Sequence, residues 1–125
     1  MPQPLIGIVG PCAAGKTTLA RLLQERGYRA KAIAQEHSYV PTMWQRLTNP
    51  DVLVFLDVSF AESNRRRPMA WKEADYAAQQ HRLRHARAHA DLYVHTDNLA
   101  PEEIVARVEA FLRSHGLPIP QSDGT

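Results

Sequence analysis

The fold of this chain is decided by residues 10–17, Gly10-Pro11-Cys12-Ala13-Ala14-Gly15-Lys16-Thr17, which fit the phosphate-binding loop pattern G-x-x-x-x-G-K-[ST]. The apolar run Leu5–Val9 before them predicts a strand, and Thr18–Leu23 after them has the apolar spacing of a helix. In this order of elements, main-chain N–H groups and the helix dipole converge on one point and form an anion site. The motif therefore predicts a triphosphate-binding loop rather than a glycine turn with an ordinary surface lysine.

The loop and the start of its helix supply the groups that a bound nucleotide needs. We expect Lys16 to reach the β- and γ-phosphate oxygens and the Thr17 hydroxyl to ligate Mg²⁺, with ATP and Mg²⁺ as the cofactors. Cys12 lies near a helix N-terminus, where a thiolate is favoured, or is simply a small residue at a variable position. The expected nucleotide contacts in this stretch are Gly10, Pro11, Cys12, Ala13, Ala14, Gly15, Lys16, Thr17 and Thr18.

Composition narrows the class of protein and its partners. The 125 residues suffice for one domain, and their 44% hydrophobic and 22% charged content is that of an ordinary globular protein. A net charge of +2 is too small to indicate nucleic-acid binding. The single cysteine, the lack of a signal-like segment and the lack of a long apolar run favour a cytoplasmic protein without a membrane partner.

Strand and helix patterns alternate along the chain. Strands are predicted at 5–9, 28–34, 51–58 and 91–96, and helices at 16–26, 42–47, 60–67, 72–90 and from Pro101 to Gly116. This order predicts a three-layer α/β/α fold with a small parallel sheet, and the phosphate loop after the first strand makes it similar to the P-loop NTPase type. We expect one nucleotide-binding domain over 5–115, a flexible N-terminus at 1–4 and a disordered tail at 116–125.

Two acidic residues follow predicted strands, at the edge of the sheet where α/β proteins bind ligands. Asp57 ends the apolar strand, where it would hold Mg²⁺ or a metal-bound water, or cap the next helix. Glu36 follows the second strand, where it would take the proton from an acceptor hydroxyl or remain a solvated loop residue. Asp97 and Asn98 follow the last strand and are expected to contact the nucleotide.

Basic residues cluster in two places. Arg65, Arg66 and Arg67 end a predicted helix, where at least one is expected to contact phosphate and the others to complement the helix dipole. His81, His85 and His89 share a helical face, but neighbouring arginines oppose a zinc site there.

Several of these segments resemble the P-loop small-molecule kinases, in particular the thymidylate kinase and deoxynucleoside kinase group. Residues 49–59 (NPDVLVFLDVS) are similar to the strand that precedes the lid helix in those enzymes, and Arg65–Arg67 lie where the lid arginines begin. The segment 97–103 (DNLAPEE) resembles the loop that packs against adenine. The resemblance, which spans residues 5–113, implies that Glu36 acts on the acceptor hydroxyl.

The chain departs from that group between Leu47 and Asp51, where the kinases carry a further strand with an Asp-Arg motif and acceptor-holding helices. His37 also replaces the proline common after the acid. Two interpretations stay open: a kinase for a small-molecule acceptor such as a nucleoside or nucleotide, and a nucleotide-binding module or slow ATPase that regulates a partner. A homo-oligomer, in which a second subunit completes the site, is a further alternative. The missing Asn-Lys-x-Asp motif argues against a GTPase.

Overall fold

The computed structural model describes residues 3–68, 71–118 and 120. Its centre is a parallel four-stranded sheet in the order β2-β1-β3-β4. The strands are β1 (Leu5–Val9), β2 (Arg29–Ala32), β3 (Val52–Asp57) and β4 (Leu92–His95). The helices are α1 (Lys16–Glu25), α2 (Met43–Leu47), α3 (Phe60–Arg66), α4 (Glu73–Arg82), α5 (Arg84–His89) and α6 (Pro101–Ser114), with a 3-10 turn at Gln35–His37. The predicted α/β fold is confirmed.

The two central strands are apolar because both of their faces are covered. β1 and β3 pair in parallel with Ile6 beside Val52 and Val9 beside Phe55, and every residue of β3 is buried. A strand that is buried on both faces has a continuous apolar sequence. This is why β3 could be predicted from the apolar run at 51–58.

Alternation along β3 divides the core into two layers. Val52, Val54 and Leu56 pack on one face with residues of α1 and α6. Leu53 and Phe55 pack on the other face with Trp44 of α2 and Ala86 of α5. Because side chains of a strand point alternately to opposite faces, each odd-numbered residue of β3 faces α5 and each even-numbered one faces α1. This assignment decides where Asp57 points.

The helix predicted over 72–90 is divided in the structure. Helix α4 ends at Arg82 and α5 begins at Arg84, with the fully buried Leu83 between them. The Leu83 amide donates to the carbonyls of both Gln79 and Gln80, a shared bond typical of a tightened helix end. The polar composition of this segment contains no signal for the division.

Of residues 116–125, for which disorder is predicted, the structure describes 116–118 and 120. The Leu117 amide donates to the Leu112 carbonyl at 2.9 Å, and the Leu117 side chain packs against the core. The predictions of flexibility at residues 1–2 and of disorder at 119 and 121–125 lie outside the described residues. Among the helices that are described, none has the length and apolar character needed to cross a bilayer.

Replacing Gly10 by alanine is expected to destabilise the protein by about 3 kcal/mol or more. A Cβ at Gly10 would lie 2.0 Å from the Leu56 carbonyl oxygen of β3, a backbone atom that cannot move without disturbing the sheet. Urea unfolding measures the loss.

Gly15→Ala is the matched control. Gly15 has φ 98°, but nothing lies within 4 Å of the position that a Cβ would take there, so only the left-handed conformation is penalised, by about 1–2 kcal/mol. Equal losses for the two variants would contradict the close approach of the phosphate loop to β3.

Candidate functional site

A cleft of about 1150 Å³ opens at the carboxyl ends of the strands. Parallel sheets bind ligands at this edge because the loops after the strands converge there. Four segments form its walls: the loop before α1, the end of β2 with the 3-10 turn, the end of α3, and the loop between β4 and α6. Of the predicted site residues, those that line it are Cys12, Ala13, Ala14, Gly15, Lys16, Thr17, Thr18, Glu36, Arg65, Arg66, Arg67, Asp97 and Asn98.

The loop before α1 has the backbone of an anion cradle. Gly15 is the N-cap of α1 with φ 98°, and Ala13 also has a positive φ, of 68°. The Ala14 amide donates to the Pro11 carbonyl and closes the turn at 3.2 Å. Residues with positive φ that alternate with ordinary residues turn successive N–H groups toward one side, where a phosphate binds.

Lys16 is held at this cradle by three acceptors. Its Nζ donates to the Gly10 carbonyl at 2.8 Å and to the Pro11 carbonyl at 3.1 Å, so these two residues contact the lysine rather than line the cleft. The third acceptor is Glu36 Oε2, also at 2.8 Å. The Lys16 ammonium is therefore already at the loop, where a triphosphate would bind it.

Glu36 reaches the loop because β2 is the neighbour of β1. The 3-10 turn after β2 carries Glu36, whose side chain is only 5% exposed. Its Oε2 atom binds Lys16, whereas the buried Oε1 atom has no hydrogen-bond partner among the described residues. This oxygen is therefore an acceptor that remains open at the wall of the cleft.

Thr17 and Thr18 occupy the first turn of α1 and line the cleft. Thr17 is exposed, so its hydroxyl is accessible to an ion bound with a nucleotide. A hydroxyl oxygen is a hard ligand of the kind that Mg²⁺ accepts beside phosphate oxygens.

The structure does not bring Asp57, predicted to hold the metal, into the cleft. Asp57 is an odd-numbered residue of β3, so its carboxylate points to the α4–α5 side of the sheet. There it accepts hydrogen bonds from Gln80 and from the Tyr93 hydroxyl, and Arg87 lies 3.6 Å away. Burial and the hydrogen bond to Asp57 raise the pKa of Tyr93 to about 12. The sequence pattern of β3 does not reveal these partners, because they lie on α4, α5 and β4.

The three arginines at the end of α3 all line the cleft. Arg66 also connects α3 to two other segments of the chain. Its guanidinium donates to the Ala13 carbonyl of the loop at 3.1 Å and to the Thr96 hydroxyl and carbonyl. This contact fixes the end of α3 against the phosphate loop.

Glu62 is a cleft residue that the sequence analysis does not identify. It accepts hydrogen bonds from both Arg65 and Arg66 and lines the cleft beside them. The Ser59-x-x-Glu62 spacing could have identified Glu62, because it is typical of the start of a helix. In the structure, Ser59 is the N-cap of α3 and its side chain accepts a hydrogen bond from the Glu62 amide.

Asp97 and Asn98 form the wall of the cleft between β4 and α6. Asp97 accepts a hydrogen bond from the Ser59 amide at 2.9 Å, which joins this loop to the start of α3. Burial alone would raise the pKa of Asp97, but the hydrogen bonds from Ser59 outweigh it and hold the pKa below its usual value. Leu99 and Ile104 add apolar lining, which gives this wall a surface suited to a flat base.

A comparison with protein families matches most of the chain. Residues 6–113 match the family described as an AAA domain (AAA_18), a P-loop NTPase type of family that includes kinase-like members. Apart from Leu5 of β1 and Ser114 of α6, the match spans all four strands, the phosphate loop and the six helices. No curated protein matches the chain.

The Glu62 carboxyl is expected to titrate at about pH 2. Hydrogen bonds from Arg65 and then from Arg66 lower its pKa from the usual 4.5 to about 2. Since the folded-state pKa is the lower one, ionised Glu62 favours the folded state above about pH 4.5, and this contribution is lost as the pH falls toward 2. The chemical shift of its side-chain carbonyl carbon, followed against pH by NMR, measures the midpoint.

Arg65→Gln removes the hydrogen bond that contributes most to the low pKa of Glu62, so the midpoint should move upward in this variant. A midpoint near 4.5 in the unsubstituted protein would contradict the paired geometry.

Proposed function

This chain belongs to the AAA domain family, and we propose that it is an ATP-dependent phosphotransferase for a small molecule, such as a nucleoside or nucleotide. One observation carries the proposal above all others: the Glu36 carboxylate lies 2.8 Å from the Lys16 ammonium in the same cleft. A loop lysine that binds phosphate and an acid within its reach are the two groups needed to hold the transferred phosphoryl group beside an acceptor hydroxyl.

Binding of a triphosphate would exchange the partners of Lys16. A triphosphate carries several negative charges, and its oxygens would attract the ammonium away from the Gly10 and Pro11 carbonyls and from Glu36. Glu36 would then be free to accept the proton of an acceptor hydroxyl. As that oxygen forms its bond to the γ-phosphorus, the bond between the γ-phosphorus and the bridging oxygen breaks and ADP leaves.

Mg²⁺, when bound with the nucleotide, would neutralise charge on the phosphates. The exposed hydroxyl of Thr17 is the group of the loop helix suited to ligate it, and this fits the arrangement expected of the motif. Asp57 takes no part in the proposal because its carboxylate is bound on the other face of the sheet.

The arginines at the end of α3 would supply further positive charge near the phosphates. Arg66 is bound to the Ala13 carbonyl and would position the loop, whereas Arg67 is exposed on the cleft wall. Arginines near a transferring phosphoryl group stabilise the charge that develops there. Asp97 and Asn98 would contact the nucleotide from the wall between β4 and α6.

The size of the cleft supports a second ligand beside ATP. At about 1150 Å³ it exceeds the roughly 300–1,000 Å³ of pockets that hold one small molecule. Its Glu36 end is lined by Ala32, Ile33 and His37, which offer a small acceptor an apolar wall and a polar edge.

A regulatory module or slow ATPase is the second candidate. Helix α2 ends at Leu47 and β3 begins at Val52, so this connection has little room for an acceptor-holding segment. A second copy of the chain could supply the missing wall, which keeps a homo-oligomeric kinase within the first proposal.

ATP consumption across a panel of nucleosides, nucleotides and other hydroxyl compounds tests the proposal. Stimulation by one compound, with a phosphorylated product detected by mass spectrometry, is the expected result. A slow rate that no compound changes, measured at several protein concentrations to include oligomers, would favour the module.

Glu36→Gln is expected to retain ATP binding and to lower the rate of phosphoryl transfer roughly 10²- to 10⁴-fold, the usual contribution of a general base. The amide keeps the size of the side chain but cannot take the proton. Calorimetric titration with MgATP and single-turnover transfer measure the two effects separately.

Glu25→Gln is the matched control, since Glu25 is an exposed residue of α1 paired with Arg21 on the same helix. Transfer at an unchanged rate in Glu36→Gln would refute its role as the base.

A further inference from the structure

Three metal-ligating side chains meet at the edge of the phosphate loop. The ligand atoms of Cys12, Glu36 and His37 all lie within 4.8 Å of one another. Cys12 Sγ is 3.8 Å from His37 Nε2, and His37 Nε2 is 3.7 Å from Glu36 Oε2. The phosphate loop and the 3-10 turn after β2 bring these residues together.

Two of the three ligand separations are close to those of a tetrahedral zinc site. With Zn–S near 2.3 Å, Zn–N near 2.05 Å and Zn–O near 2.1 Å, tetrahedral angles put S and N about 3.6 Å apart and N and O about 3.4 Å apart. The observed 3.8 and 3.7 Å separations exceed these values by a few tenths of an ångström. His37 has a side chain 59% exposed, so small rotations of its ring can close the difference.

A second observation points to a missing cation. Glu36 is 4% exposed, and its Oε1 atom is buried without a hydrogen-bond partner in the described part of the chain. Burying an unpaired carboxylate oxygen is costly, and a bound cation would compensate for it. Lys16 satisfies only the Oε2 atom.

Gln79 of α4 holds Cys12 in place for this role. Its side-chain oxygen accepts the Cys12 amide at 2.9 Å, and its Nε2 donates to the sulfur at 3.1 Å. The sulfur is thereby fixed on the same side as the histidine and the carboxylate.

We propose that Cys12, Glu36 and His37 bind a thiophilic divalent cation of the Zn²⁺ class. The thiol proton is released to solvent on binding, and a water completes four ligands. The thiolate and carboxylate charges offset the two cations nearby, Lys16 and Arg82, whose guanidinium donates to the Glu36 carbonyl. Sulfur and imidazole ligands distinguish this site from the oxygen-rich environment that Mg²⁺ prefers.

The cation would compete with Lys16 for Glu36. If Glu36 is the base of the proposed transfer, a bound Zn²⁺ would oppose that reaction. This consequence rests on the proposed function, whereas binding of the metal does not.

Titration of the reduced full chain with Co²⁺, without nucleotide, tests the site. Visible absorption of tetrahedral Co²⁺ and a near-ultraviolet sulfur-to-cobalt band are expected, saturating at one ion per chain and reversed by Zn²⁺. Cys12→Ser should lose the sulfur band, and His37→Asn should weaken Co²⁺ affinity at least about tenfold. Circular dichroism verifies that the variants are folded.

His89→Asn is the matched control for the other histidine cluster. His85 and His89 stack at 4.1 Å, but His85 Nδ1 already accepts the Trp44 indole N–H. Co²⁺ binding should be unchanged in this variant. A spectrum without a sulfur band, or binding lost in His89→Asn but kept in His37→Asn, would overturn the proposal. Since the probe is the metal alone, these results do not depend on whether the protein transfers phosphate.

Discussion

The ion pair between Lys16 and Glu36 joins two of the four segments that form the cleft. One partner begins α1 after the phosphate loop, and the other lies on the 3-10 turn after β2. A buried ion pair adds little net stability, because the desolvation of the two charges offsets their attraction. Separating the charges is nevertheless costly unless each of them gains a new partner. A phosphate group for Lys16 and the proton of an acceptor for Glu36 would be suitable replacements, so the pair fits the starting state of the proposed phosphoryl transfer.

The order of the strands brings the pair together. Because β2 lies beside β1, the turn after β2 reaches the loop after β1. The same sheet directs Asp57 away, since its position in β3 faces α4 and α5 and its carboxylate is used by Gln80 and Tyr93. The strand order and the face on which a side chain lies therefore determine that Glu36, and not Asp57, lies at the phosphate loop.

Much of this arrangement could be predicted from the sequence because the signals were local. The phosphate loop, the buried strand β3 and the helix predicted at 60–67 all have local sequence signals. Three other features could not be predicted from the sequence: the partners of Asp57, the hydrogen bond from Arg66 to the Ala13 carbonyl, and the division of the helix at Leu83. These features depend on contacts between distant segments, and no short pattern records them.

The most direct measurement is calorimetric titration of MgATP into the unsubstituted protein and into Lys16→Met. The account predicts one site per chain, with affinity lowered at least about 30-fold in the variant, since a charge-assisted hydrogen bond contributes about 2 kcal/mol. Equal affinities, or no binding of MgATP by the unsubstituted protein, would contradict it.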